Sequence, residues 1–155
     1  MAMTRVRPKI GDVCEISTPK GFAYFHHTHK HIEYGHLIRI IPGIFDVRPV
    51  DFIPLIKCPS QFVTFYPLGV ACAQHLITIV ANLPVPASSS SFPLFRTGLP
   101  DVDGTVNTWW LWNGVNAEKI GSLRSDMVHL PLRGIVTHPF LIDRIISGYC
   151  DSTAT

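Results

Sequence analysis

The stretch T-V-N-T-W-W-L-W-N-G, residues 105–114, holds all three tryptophans of the chain and decides the fold class. β-Branched and aromatic residues suit a pleated surface. Side chains alternate faces along a strand. Val106, Thr108, Trp110 and Trp112 therefore share one face, and Asn107, Trp109 and Leu111 the other. Both faces are bulky and apolar, so both are expected to pack against something, with this as the central strand. Asn113-Gly114 closes it with the strongest short hairpin turn signal, because both central positions of that turn need positive φ. Trp110 and Trp112 are expected in the core. Tryptophan is also enriched at binding hot spots, which leaves one of the three as a candidate contact residue.

Working outward, short strands separated by breakers recur. They are 12–17, 22–28, 35–41, 61–66 and 76–81, with turns at Thr18-Pro19-Lys20-Gly21, Pro42-Gly43 and Asp101–Gly104. The thirteen prolines work against long helices. Residues 44–60 read as irregular, 67–75 as too short and glycine-broken for a helix, and 87–91 as a loop of small residues. Phe92-Pro93-Leu94-Phe95-Arg96 reads as a segment packed back on the body. One helix is expected over 137–148, with Pro139 in its first turn and Gly148 at its C-terminal cap. Leu141/Ile145 and Ile142/Ile146 give it an apolar face that could cover the tryptophan strand.

The fold class is thus mainly β (α+β). It is a strongly bent antiparallel sheet or SH3-like barrel with one C-terminal helix, in a single domain over 1–155 with loose ends at 1–9 and 151–155.

Composition narrows the function. Of 155 residues, 46% are hydrophobic and only 15% charged, so the surface is unusually uncharged or partly covered by a partner. The formal charge is +2, and basic residues, Arg39 and Arg96 among them, are scattered; there is no nucleic-acid footprint. Nor is there the acidic excess of a nucleic-acid mimic. No apolar run reaches membrane-spanning length. Cys14, Cys58, Cys72 and Cys150 form no C-x-x-C pair, and the amino terminus lacks the apolar core of a secretory leader. Free thiols in a reducing cytoplasm are expected.

His26, His27, His29, His31 and His36 form the conspicuous polar cluster. A continuous strand would put His27, His29 and His31 on one face, about 7 Å between successive members. They are the alternative metal set, although no third-ligand motif accompanies them. No nucleophile motif, phosphate-binding glycine loop or complete calcium loop is present, so no catalytic residue and no cofactor are assigned.

Several segments carry a family likeness: K-I-G-D-V-C-E-I-S-T-P-K-G-F-A-Y-F (9–25), Y-G-H-L-I-R-I (34–40), F-P-L-F-R (92–96), W-W-L-W-N-G (109–114) and L-P-L-R-G-I-V-T-H-P-F-L-I-D-R-I (130–145). Together they resemble the bacterial immunity protein 26 family. The resemblance implies a cytoplasmic immunity protein that neutralises the cognate toxin domain of a polymorphic toxin system by stoichiometric binding. It transfers no site residues. The surplus of aromatics, with Phe22 and Tyr24 among them, points to an apolar contact surface, and Tyr34, His36, Phe92, Phe95 and Trp109 are its candidates. Some relatives carry a phosphotriesterase label, so a small metal-dependent hydrolase using the histidines is an alternative. The known zinc phosphotriesterases are (β/α)8 barrels, too large for this chain. A small-ligand-binding β-barrel with an aromatic pocket is another.

Overall fold

Antiparallel pairing of short strands builds the fold. The computed structural model describes residues 7–151. In chain order the elements are β1 (Asp12–Thr18), β2 (Gly21–His31), β3 (Gly35–Phe45), α1 (Ile53–Ile56), β4 (Phe62–Tyr66), α2 (Leu68–Ala73), β5 (Ile77–Asn82), α3 (Ala87–Ser90), β6 (Phe95–Pro100), β7 (Val106–Trp112), β8 (Ala117–Gly121) and α4 (His138–Ser147). Five strands form one sheet in the order β4-β3-β2-β1-β5, and three form a second in the order β6-β7-β8. The mainly-β expectation with one C-terminal helix holds, but the sheets do not close into a barrel. The tryptophan strand is central only to the smaller sheet.

The larger sheet is covered on both faces. On one, Cys14, Ile16, Phe25, Ile38, Ile40 and Phe62 pack with Leu68 and Ala71 of α2 and with Leu141 and Ile145 of α4. The C-terminal helix therefore covers this sheet and not the tryptophan strand. It ends at Gly148, whose φ of +72° is the left-handed cap that glycine accepts. On the other face lie two apolar clusters. Val13, Tyr24 and Ile41 pack with Phe52 and Ile56 of the 52–56 segment. Leu37 and Phe65 pack with Phe95 and Trp112 of the small sheet.

The segment 131–136 stitches the two sheets. Arg96 N–H donates to Pro131 O and Arg133 N–H to Arg96 O. Three residues on, Phe65 N–H donates to Gly134 O and Val136 N–H to Phe65 O. One extended stretch thus satisfies backbone groups on the edge of β6 and then on the edge of β4, which blunts both edges.

Several local expectations change. β3 runs through Pro42-Gly43 to Phe45. Its pairing with β4 ends at Ile40–Phe62, so the missing proline N–H falls where no strand waits on that side. Residues 68–73 do form a helix, because burial of Leu68 and Ala71 outweighs weak local propensity. Residues 87–90 form one helical turn rather than an open loop. The loose ends expected at 1–9 and 151–155 lie largely outside the described residues. Lys9 and Asp151 are nonetheless tied down: Lys9 N–H donates to Asp12 Oδ2 at 2.8 Å, and Asp151 O accepts from Arg96 Nη2 at 3.0 Å.

The tryptophans divide differently from the sequence reading. Trp109 (8% exposed) and Trp112 (6%) are buried, whereas Trp110 is half-buried. The contact between the sheets covers only the Phe95–Trp112 end of the small sheet, so Trp110, two residues back on the same face, lies at its rim. Trp109 faces the other way. The Arg96 guanidinium carbon lies 5.2 Å from its ring centroid, and any Cβ at Gly98 would lie 3.2 Å from its ring carbons.

Among the described residues no helix is long and apolar enough to cross a membrane. None of the four cysteines is in a disulfide.

Candidate functional site

The histidine run of β2 is split by an irregularity in strand pairing. His27 pairs with Ile38 and His29 with Leu37, so the register slips between them. The expected single face for His27, His29 and His31 is lost, and the three do not converge on one point. His27 turns to His36, with ring centroids 4.8 Å apart, while His29 and His31 both pack on Phe92. Among the described residues no group of three or more His, Cys, Asp or Glu side chains is placed to hold a metal ion.

The His27–His36 pair has a defined proton arrangement. His27 Nδ1 lies 2.8 Å from Lys9 O, so it carries the proton and donates. His27 Nε2 then accepts from His36 Nδ1 at 3.1 Å. Burial holds both imidazoles below the usual histidine range. His26 is similar: its Nε2 donates to Gly11 O and Leu83 O, both at 3.0 Å, and burial lowers its pKa.

The most distinctive surface lies where two hairpins from different sheets meet. His31 ends β2. Its Nδ1 accepts the N–H groups of Glu33 and Tyr34, each at 3.1 Å, which shapes the β2–β3 turn. Its Nε2 donates to Gly114 O at 2.7 Å in the β7–β8 turn. That turn is a four-residue connection and not the tight turn expected with both Asn113 and Gly114 at positive φ: only Gly114 takes it, and Asn113 Oδ1 instead accepts from the N–H groups of Val115 and Asn116. Gly114 is required twice over: its φ is +97°, and a Cβ there would lie 2.8 Å from the Phe92 ring.

Beneath the two turns the rings interlock. Trp112 lies 4.9 Å from Tyr34, 5.0 Å from His31, 5.7 Å from Phe92 and 5.5 Å from Phe95, centroid to centroid. Such edge and tilted contacts contribute beyond their buried area. The Arg133 guanidinium carbon lies 5.3 Å from the Trp112 ring and 5.5 Å from that of Tyr34. Above this base the turn tips present Ile32 and Val115, 97% and 84% exposed.

The candidate contact residues fall into three groups. Tyr34 and Phe92 belong to this cluster and are half-buried. His36 is half-buried beside His27, away from the turn tips. Phe95 (0% exposed) and Trp109 are core residues and offer no contact surface. Tyr24 is also buried, its hydroxyl donating to Glu15 Oε2 at 2.7 Å. The sequence reading missed Arg133 and the linking role of His31. It also left Arg39 and Arg96 among scattered charges, whereas both are buried. The signal for Arg39 was present, because it is the one charged residue in H-L-I-R-I-I.

No protein-family model matches the chain, and no curated protein or solved structure is significantly similar to it. The likeness to the immunity protein 26 family rests on the residues quoted above.

Proposed function

We propose that this chain is an immunity protein, which binds a cognate bacterial toxin domain one to one and so neutralises it. On this reading the protein works in the cytoplasm of the bacterium that must be protected. The observation that carries the proposal is the pair of turn tips with Ile32 and Val115 held over the Tyr34–Phe92–Trp112 cluster. Two large aliphatic side chains exposed at neighbouring turns have no role in the protein's own core. They project from a base fixed by ring packing and by the His31–Gly114 hydrogen bond. A fixed apolar centre of this kind is what a protein interface uses as its anchor. The quoted sequence motifs supply the class of partner.

The test is co-expression with the toxin domain encoded beside this gene. The unaltered protein restores growth. Ile32→Asp and Val115→Asp, both at exposed positions that leave the fold intact, abolish protection and binding. Full protection by the double variant overturns the assigned surface. Failure of the unaltered protein to bind any neighbouring toxin domain overturns the immunity reading.

A further inference from the structure

We propose that a cavity between the larger sheet and the α3–β6 connection is a binding site for a small organic anion, with its oxyanion held at Arg39. The inference is independent of the immunity reading.

The cavity has a volume of about 350 Å³, within the range of small-molecule sites. It opens at the seam between the two apolar clusters that share one sheet face. Thr28, Arg39 and Val63 line it from the sheet, and Ser60, Ser89 and Phe92 are among the residues on its other sides.

Arg39 is the unusual member. It is 2% exposed, and among the described residues no carboxylate lies within ion-pair distance of it. Buried charges are ordinarily paired, because an uncompensated one is costly. Its known partners are neutral: Nε donates to Ser60 Oγ at 2.8 Å, Nη1 to Ile56 O at 3.0 Å, and Nη2 to Cys58 O. A guanidinium has five N–H groups. With three engaged, one remains on each of Nη1 and Nη2. Two N–H groups on one planar cation match the two oxygens of a carboxylate or phosphate.

The cross-strand neighbour His26 adds no negative charge. It is buried, and its Nδ1 has no hydrogen-bond partner. Among the described residues, then, no carboxylate pairs with the positive charge in this layer. Serine hydroxyls around the cavity, those of Ser88, Ser89 and Ser91, supply further donors. Val63, Phe92 and Pro93 supply apolar wall, which calls for a ligand with an organic body as well as an anionic end.

The experiment is calorimetric titration of the purified protein with benzoate and with phenyl phosphate. Benzamide and benzyl alcohol serve as uncharged matches, and inorganic phosphate as an oxyanion without an organic body. One of the two organic anions should bind at least tenfold more tightly than its uncharged match and than inorganic phosphate. The better of the two identifies a planar or a tetrahedral oxyanion. Arg39→Gln should weaken binding tenfold or more. Because that change also removes hydrogen bonds to the 56–60 segment, Ser89→Asp provides a second variant: it places a competing carboxylate at the cavity wall and should cause the same loss. No binding of either organic anion overturns the proposal. So does equal binding of the uncharged match or of inorganic phosphate, or unchanged binding by Ser89→Asp.

Discussion

His31 Nε2 donates to Gly114 O across 2.7 Å, and this one hydrogen bond joins the turn of a hairpin in the five-stranded sheet to the turn of a hairpin in the three-stranded sheet. The same ring accepts two backbone N–H groups through Nδ1. His31→Phe keeps the ring packing on Trp112 but leaves three backbone groups without their partner. It should lower stability by about 1–3 kcal/mol. Urea unfolding midpoints measure this. A loss below roughly 0.5 kcal/mol would mean that water replaces these bonds freely and the turns are not coupled through His31.

The tryptophans give a contrast within one strand. Trp112 meets five other rings, those of His31, Tyr34, Phe65, Phe92 and Phe95, at the contact between sheets. Trp112→Ala should cost about 3–5 kcal/mol. Trp110→Ala, at the half-buried rim, should cost less than half as much. Denaturant midpoints of the two variants are the check. Equal losses would mean that the rim position packs as fully as the interface.

What could be read from the sequence was what local chemistry enforces. Gly148 ends α4 and Asn113-Gly114 turns β7 back because left-handed backbone and Asx hydrogen bonding are properties of those residues. The strands expected at 12–17 and 61–66 were legible as runs of β-favouring residues between breakers, and β1 and β4 fall there. The division into two sheets was not legible. It depends on segment 131–136, whose backbone, not its side chains, bonds to both edges. The slip between His27 and His29 was hidden for the same reason: pairing is settled against β3, and one extra residue reverses which face a histidine occupies. Of the candidate contacts, Tyr34 and Phe92 lie in the aromatic cluster. Phe95 and Trp109 could not be told from core residues, since an aromatic side chain suits either place.

Acid should destabilise the protein from near neutrality. Burial lowers the pKa of His26, His27, His36 and His138 below the ordinary 6.5. As pH falls below about 6.5 the unfolded chain takes up protons that the folded chain resists, so stability falls until the depressed folded values are reached. Asp151 acts oppositely. Burial raises its pKa to about 6, so its contribution grows as pH falls through that value toward the ordinary carboxylate range. Four groups against one should give a falling melting temperature between pH 7.5 and 5. His36→Asn, which retains a donor toward His27, should flatten the fall, and Asp151→Asn should steepen it. A melting temperature independent of pH over this interval would refute the assignment.

The proposed toxin contact makes a kinetic prediction. An interface led by charge associates quickly, and its on-rate falls steeply with salt. The turn tips present Ile32 and Val115 instead, over rings on which the Arg133 guanidinium lies, against Tyr34 and Trp112. Arg39 and Arg96 are buried and cannot steer a partner. The association rate with the cognate toxin domain should therefore stay within a few-fold as salt rises from about 50 to about 500 mM, where screening removes most long-range attraction. Binding should depend on a few anchors. Ile32→Ala and Tyr34→Ala should each raise the dissociation rate by roughly tenfold or more, which corresponds to a loss of about 1.4 kcal/mol or greater. Surface plasmon resonance across a salt series reads both quantities. A fall of several decades in the association rate, with dissociation unmoved by the two truncations, would mean that exposed charges such as Arg124 and Asp126 carry recognition and that the partner docks away from the hairpin tips.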